Sequence, residues 1–382
     1  MKILYVSSDF NRSGAALAMI ELSEQIRSMG NEVLLLYPGM GEAVTEAKRR
    51  NLPYTIIRSY EWVKPLNRKE SLKTRCKWAL KHLYNMIAIL RICHLIKMKK
   101  IDVVHNNTLW GYVGACAAEI TGCPLIWHMR ELLEQQQQQQ LRWPRFGTKL
   151  INSADAFIAI SKLVIDNYQE RFQSRKMHLI YDGVDIDQMY RENHALFQTE
   201  VVRIIIAGSV RESKRQFDVV RTVGQLIKEG YKVHLEIVGD DTTDYAASIK
   251  AYVEKEHLQK VVSFIGEVSD VAAYMERNDI SITASKFEAF GRVTAEAMLT
   301  GCVVVASDSG ANEEIITDQE TGYIYQLGNT ESLANVIKRI LKDQALAIQI
   351  AEKGKRSVVE RFSSRKNAQE VSILYEKILS AR

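Results

Sequence analysis

The sequence predicts an α/β protein made of two doubly wound parallel-sheet domains in tandem. Three observations carry that prediction. Short runs rich in Val, Ile and Leu alternate with helical patterns, the alternation restarts after residue 200, and the two halves use residues differently. Buried strands of near-continuous β-branched residues separated by helices indicate βαβ units and a parallel sheet. Two such series in a chain of 382 residues indicate two domains, each large enough to bury a core.

In chain order, KILYVSS opens the first series, followed by a helical pattern near 15–29 and the strand NEVLLLYP. The strands DVVHNNT (102–108), PLIWHM (124–129) and AFIAIS (156–161) complete it. VVRIIIAG, VHLEIVG, VVSFIG, DISITAS and CVVVAS form the second series. The polar stretch DIDQMYRENHALFQTE, around 185–200, reads as the linker. Domains are therefore expected over 1–185 and 200–363, with a ligand where the carboxyl ends of the strands face a crevice between them. All five prolines and all five tryptophans fall before residue 150, which suits two domains with different partners.

Composition excludes several classes. With 46% hydrophobic and 25% charged residues the chain is neither disordered nor fibrous. No apolar run approaches the ~20 residues needed to cross a bilayer, and MKILYVSS lacks the features of a secretory signal. Five cysteines (Cys76, Cys93, Cys116, Cys123, Cys302) without CxxC pairing indicate reduced thiols, a cytoplasmic location and no zinc site. No GxGxxG follows the first strand, and there is no GxxxxGK[ST], metallohydrolase His/Glu pair or GxSxG elbow.

The stretch 285–325, SKFEAFGRVTAEAMLTGCVVVASDSGANEEIITDQETGYIY, carries the chemistry. A strand, a tight turn at Phe290-Gly291-Arg292 and a helix start leave backbone N–H groups free for an anion such as phosphate. Glu288 before that helix and Glu296 in its second turn can face one pocket, one taking ribose hydroxyls and the other those of a sugar. Singly, each would be an ordinary solvated carboxylate; their setting gives them weight.

This pattern, Glu-Ala-Phe-Gly-Arg-Val-Thr-Ala-Glu-Ala-Met with Glu288 and Glu296 eight positions apart, resembles the signature of retaining glycosyltransferases of family 4. The likeness extends along the chain: Ser13-Gly14-Ala15 resembles the glycine loop after the first strand, and His128 follows the strand PLIW. Leu179–Asp185 resembles an interdomain Asn-Gly-Val-Asp segment, Gly208 to Lys214 a Gly-Arg-x-x-x-x-Lys stretch, and Gly310 with Glu314 a later element. The resemblance implies a GT-B fold, two Rossmann-like domains facing across a cleft, with a C-terminal helix over 364–382 crossing back to the N-terminal domain.

By the same resemblance, Glu296 holds the nucleotide ribose and Glu288 the donor sugar. Amides around Phe290, Gly291 and Arg292 reach sugar and pyrophosphate. Lys214, beside Gly208, stabilises the departing diphosphate. His128 orients the donor sugar, and Gly14 admits close approach of the first loop. On residues alone, Lys214 also reads as a surface charge, His128 as a core histidine and Gly14 as a mere turn. The implied reaction is metal-independent and cofactor-free, moving a hexose-type unit from a UDP-sugar, in preference to a GDP-sugar, to a glycan or lipid-linked glycan. A nucleotide-sugar epimerase of the same fold and a non-catalytic glycan-binding partner subunit are the alternatives. Three departures stand out: Ser209 where the family often has Arg, Ala15 for a second glycine, and Asp182 for Asn. Arg211, Arg215 or Arg292 would have to replace the missing cation.

Residues 62–100 hold eleven Lys or Arg against one acid, Glu70. Within 73–100, Trp78, Leu80, Leu83, Tyr84, Met86, Ile87 and Leu90 lie among Lys77, Lys81, Arg91 and Lys97. This reads either as an amphipathic helix lying on an anionic membrane surface, at the inner face, or as a core helix with a solvated basic face. Nucleic acid is not expected, since no recognition module accompanies the charge. The run Gln135–Gln140 reads as a loop near the cleft mouth.

Overall fold

The computed structural model describes residues 1–67 and 71–381; Glu70 of the basic stretch lies outside the described residues. The chain divides into two units, Met1–Gly183 with Ser364–Arg382, and Val184–Ser363.

The first unit holds β1 (Lys2–Val6), β2 (Glu32–Tyr37), β3 (Tyr54–Ile56), β4 (Val63–Pro65), β5 (Val103–Asn107), β6 (Leu125–Met129), β7 (Gln139–Leu141), β8 (Ala156–Ala159) and β9 (Met177–Leu179). Seven of these form a parallel sheet ordered β3-β2-β1-β5-β6-β8-β9. β5, β6 and β8 are buried along their whole length, as strands covered on both faces must be. The second unit holds β10 (Val202–Ala207), β11 (Val233–Val238), β12 (Val262–Gly266), β13 (Ile280–Thr283), β14 (Val303–Ser307) and β15 (Tyr323–Tyr325). These are parallel in the order β12-β11-β10-β13-β14-β15. Every strand run read from the sequence is a strand. Each sheet grows outward in both directions from its first strand, so its topological switch point lies between β1 and β5 in one unit and between β10 and β13 in the other.

The helix Ser364–Ser380 belongs to the first unit, where Ala368, Val371, Leu374, Tyr375 and Ile378 join a core containing Ile3, Tyr5, Met19 and Leu35. Gly183 permits this return: a Cβ there would lie 2.5 Å from the Cα of Ser364.

Three expectations are corrected. The stretch 185–200 is no free linker but part of the second unit, where Asp185 caps the helix Ile186–Met189 and His194 Nδ1 lies 2.8 Å from the carbonyl of Thr300. The glutamine run is not simply a loop, because Gln139–Leu141 pairs antiparallel with Val63–Pro65 and Gln140 donates to the carbonyl of Leu66 at 2.5 Å. Finally, the helix Leu72–Lys99 is long and apolar enough to cross a membrane by length and composition. Ser71 caps it, and its inner side (Ala88, Ile89, Ile92, Cys93, Ile96) is buried. The apolar residues singled out on its other side are not core: Leu80, Leu83, Tyr84, Met86, Ile87 and Leu90 are each more than half exposed.

Candidate functional site

The chemistry-bearing residues gather in two clusters, one in each unit, both at carboxyl ends of strands beside a switch point. In the second unit, the loop after β10 carries Gly208 and Lys214 and the loop after β13 carries Glu288. Because β10 and β13 are neighbours, residues far apart in sequence meet. The amide of Lys286 donates to the carbonyl of Ser213 at 2.8 Å, joining the two loops, and Lys214 Nζ forms an ion pair with Glu288 Oε1. The loop after β14 fixes Glu288 from the other side. The amide of Ala311 donates to the Glu288 carbonyl at 2.9 Å, and Gly310, with φ of 68°, approaches so closely that a Cβ would lie 2.5 Å from the Glu288 backbone nitrogen. Only glycine fits such a position.

Gly291 caps the helix Arg292–Thr300 without a side-chain bond to its first turn, and that turn carries no acidic residue. A helix start of this kind favours an anion. The side chain of Phe290 is buried edge-on against Phe362. Arg292 Nε donates to Glu296 Oε1 at 2.7 Å, one turn along the helix. Both glutamates are largely buried, at 13% and 12% side-chain exposure, and each is paired with a cation, as buried carboxylates require.

Among the cations considered in place of an arginine at Ser209, Arg292 is engaged by Glu296 and Arg215 by Asp218 at 2.5 Å. Arg211 is exposed on the same loop as Lys214.

In the first unit, His128 lies within β6 itself and is fully buried, and Arg130 follows the strand. Arg130 donates through Nε to Asn107 Oδ1 at 2.7 Å and forms an ion pair with Asp182 through Nη1. This accounts for the aspartate at 182: it neutralises a buried guanidinium. Asn107 in turn donates to the carbonyl of Ala15 at 3.2 Å, holding the start of the helix Gly14–Ser28. Gly14 is the first residue of that helix, capped by Ser13, and a Cβ there would meet no protein atom within 4 Å. The protein alone thus does not require glycine there.

Glu131 is buried beside these groups and accepts from the backbone amides of Leu109 and Arg130. Burial pushes its carboxyl up to about 7, against those two bonds. The same burial, with the Arg130 charge, pushes His128 and His105 well below the usual histidine range. Sequence reasoning passed over His105, Asn107, Arg130 and Tyr375. The available signal was a run of polar residues, His105-Asn106-Asn107, ending an otherwise apolar strand. Among the described residues, no group of three His, Cys, Asp or Glu is placed to hold a metal ion.

The Arg130–Asp182 pair makes a prediction. Removing one partner of a buried ion pair costs about 3–5 kcal/mol, because the other charge stays behind unpaired. Arg130→Met should lose about that much in urea unfolding. Arg130→Met/Asp182→Asn should lose less than the sum of the two single variants, with coupling of about 1 kcal/mol or more. Strict additivity would remove the pairing from the account.

Comparison with known proteins bears on the family and the fold. Residues 12–188 match the description Glycosyltransferase Family 4, and residues 190–357 match Glycosyl transferases group 1. The N-acetyl-alpha-D-glucosaminyl L-malate synthase of Bacillus anthracis is 28% identical over 244 residues, 62% of each chain. The lipopolysaccharide core biosynthesis mannosyltransferase LpcC of Rhizobium leguminosarum bv. viciae is 30% identical over 175 residues, 45% of this chain and 50% of LpcC. The chain therefore spans less than two thirds of the length of these two curated relatives. The crystal structure of Anabaena HepE in complex with UDP-glucose superposes with a TM-score of 0.82 at 22% identity, over 99% of this chain and 100% of that one. By these two models, which between them span residues 12–188 and 190–357, the chain is a glycosyltransferase of the family 4 type, and its two Rossmann-like parallel-sheet units have the GT-B fold seen in HepE.

Proposed function

We propose that the protein is a retaining, metal-independent glycosyltransferase that moves a hexose-type unit from a UDP-sugar to a glycan or lipid-linked glycan. The observation that carries this reading is the switch-point cluster of the second unit, with two cation-paired glutamates, a lysine and a glycine-capped helix start that carries no acid in its first turn. In it, Glu296 takes the ribose hydroxyls and Glu288 the sugar hydroxyls. Amides around Phe290, Gly291 and Arg292 reach the sugar and the diphosphate, with Lys214 on the diphosphate. HepE has been crystallised with UDP and with UDP-glucose, which supports a uridine donor. One relative, from Escherichia coli, is named as a galactosyltransferase acting on a diphosphoundecaprenol-linked sugar and is 22% identical over 324 residues, which supports a lipid-linked acceptor.

In this reading the C1–oxygen bond of the donor breaks, its electrons leave with the diphosphate, and Lys214 stabilises that developing charge. The departing phosphate takes the acceptor's proton as the acceptor oxygen bonds to C1 on the same face. Thermal shift is the direct check. UDP at ~100 times its Kd should stabilise the chain by about 2.7 kcal/mol, less in Glu296→Ala. Lys214→Ala should lower kcat/KM for UDP release by about a hundredfold or more, the scale of one lost charge-stabilising donor. An altered sugar still attached to UDP would indicate epimerisation instead. Absence of any nucleotide shift would indicate a non-catalytic subunit.

We also propose that the helix Leu72–Lys99 lies on an anionic membrane at the cytoplasmic face. Its exposed apolar side, Leu80 to Leu90, sits among Lys77, Lys81 and Arg91, and each basic residue near such a surface contributes about 1 kcal/mol. The chain should sediment with phosphatidylglycerol-containing vesicles, and more weakly as salt rises. Leu83→Glu/Leu90→Glu should abolish this with thermal stability unchanged. Equal recovery with pure phosphatidylcholine would contradict the electrostatic part.

A further inference from the structure

The loop that follows β10 is held from beneath by one buried amide. The chain leaves the strand at Gly208, whose φ of 130° lies in the region that only glycine adopts freely. The carbonyls of Gly208 and Ser209 then both face Gln216, the fully buried first residue of the helix Gln216–Lys228. Gln216 Nε2 lies 3.5 Å from the Gly208 oxygen and 3.1 Å from the Ser209 oxygen. Carbonyl oxygens can only accept, so the NH2 end of the amide must be the end that faces them, with one N–H for each. The amide has no other partner among the described residues, since its Oε1 is buried and unmatched.

A trans peptide holds its N–H opposite its C=O. With these two carbonyls turned inward, the amides of Ser209 and Val210 point the other way. The amide of Val210 donates to the Asp240 carbonyl at 2.8 Å, whereas that of Ser209 has no hydrogen-bond partner among the described residues. Gly239 lies against the same peptide, where a Cβ would stand 2.3 Å from the Gly208 oxygen and 3.0 Å from the Ser209 nitrogen. Beside Gly208 the space is open, with no protein atom within 4 Å of a Cβ built there. A buried backbone N–H is almost always paired. One that is half-buried, held in direction and next to open space, on the loop that carries Lys214, is a donor ready for an anion.

We propose that Gln216 is a positioning residue, which turns the Gly208–Ser209 peptide so that the Ser209 amide donates to a phosphate oxygen of the nucleotide donor. The identity of the anion rests on the glycosyltransferase reading; the direction of the amide does not. Gln216 is itself too deeply buried to touch a ligand and acts only through the loop. Position 209 then contributes through its main chain, which a serine supplies as well as any other residue with an N–H, and the loss of the arginine removes a charge without removing the donor.

Amide NMR of the full chain labelled with 15N-serine tests this, with Ser209→Ala identifying the signal. In the free chain the Ser209 amide should exchange rapidly with water, because no acceptor protects it. UDP should move its proton downfield and slow the exchange, and uridine, which lacks the phosphates, should do neither. Gln216→Met keeps the length of the side chain without its donor. It should weaken UDP by about tenfold or more in Kd, the scale of one hydrogen bond to a charged group, and leave uridine binding unchanged. Lost packing would weaken both alike. Gln216→Glu adds a pH signature, since its carboxylate repels the two carbonyl oxygens while the protonated acid donates to one. Measured against the unsubstituted chain, its UDP affinity should recover as pH falls from about 8.5 to about 6. Slow exchange of Ser209 in the free chain, a Ser209 amide unmoved by bound UDP, or equal losses of UDP and uridine affinity in Gln216→Met would each overturn the proposal. If no amide of the chain responds to UDP, the donor reading fails on its own. Inorganic pyrophosphate then serves as the probe: a shift of the Ser209 amide keeps the anion donor, and no shift removes it.

Discussion

The organisation of this protein depends on what a parallel sheet covered on both faces allows its strands to be. Such strands are mostly apolar, because neither face meets water, and the few polar side chains within them, such as His105, His128 and Glu236, are buried. Charged and polar side chains collect instead where the strands stop. At the carboxyl edge, and most of all where the strand order reverses, the loops diverge and leave room. The lysine and the glutamate of the second unit meet because they follow two strands that are neighbours in space, β10 and β13, although 74 positions separate them in sequence. The asparagine and the arginine of the first unit meet in the same way at the ends of β5 and β6.

Charges placed at such an edge are partly or wholly desolvated, and this governs their pairing. Glu288 and Glu296 each hold a cation within their own unit, and Arg130 holds Asp182. A buried ion pair adds little net stability, since desolvation offsets most of the attraction. These pairs are better understood as a way of keeping charged, directional groups at fixed positions. The aspartate at 182, which departs from the family pattern, then has a physical reason: an uncharged amide would leave Arg130 buried without its counter-ion.

Much of this was legible in the sequence. The strand runs were unambiguous, because β-branched continuity is a local signal, and the glutamate motif stood out because a strand, a turn and a helix start follow one another within a dozen residues. What was hidden depended on long-range partners. The strand Gln139–Leu141 exists because Val63–Pro65 pairs with it, and nothing in a glutamine repeat announces a partner some 75 positions away. The segment after Asp185 looked like a linker because it is polar, yet His194 and Asp185 bind it into the second unit. His105 carried only a weak signal, a polar run at the end of an otherwise apolar strand, and reads as a satisfied core histidine until Tyr375, 270 positions away, is placed beside it. The exposed side of Leu72–Lys99 could not be told from its buried side, since both are apolar.

The central claim is that the carboxyl edge of the second sheet, and no other part of that unit, holds the nucleotide-sugar. Hydrogen–deuterium exchange of the full chain with and without UDP-glucose measures this directly. The account predicts slowed exchange at backbone amides of 208–216 and 286–296. It predicts no change at the basic hollow on the opposite edge of the same sheet, lined by Lys232, Lys338, Arg339 and Lys342. Protection at that hollow, with 208–216 and 286–296 unaffected, would contradict the account.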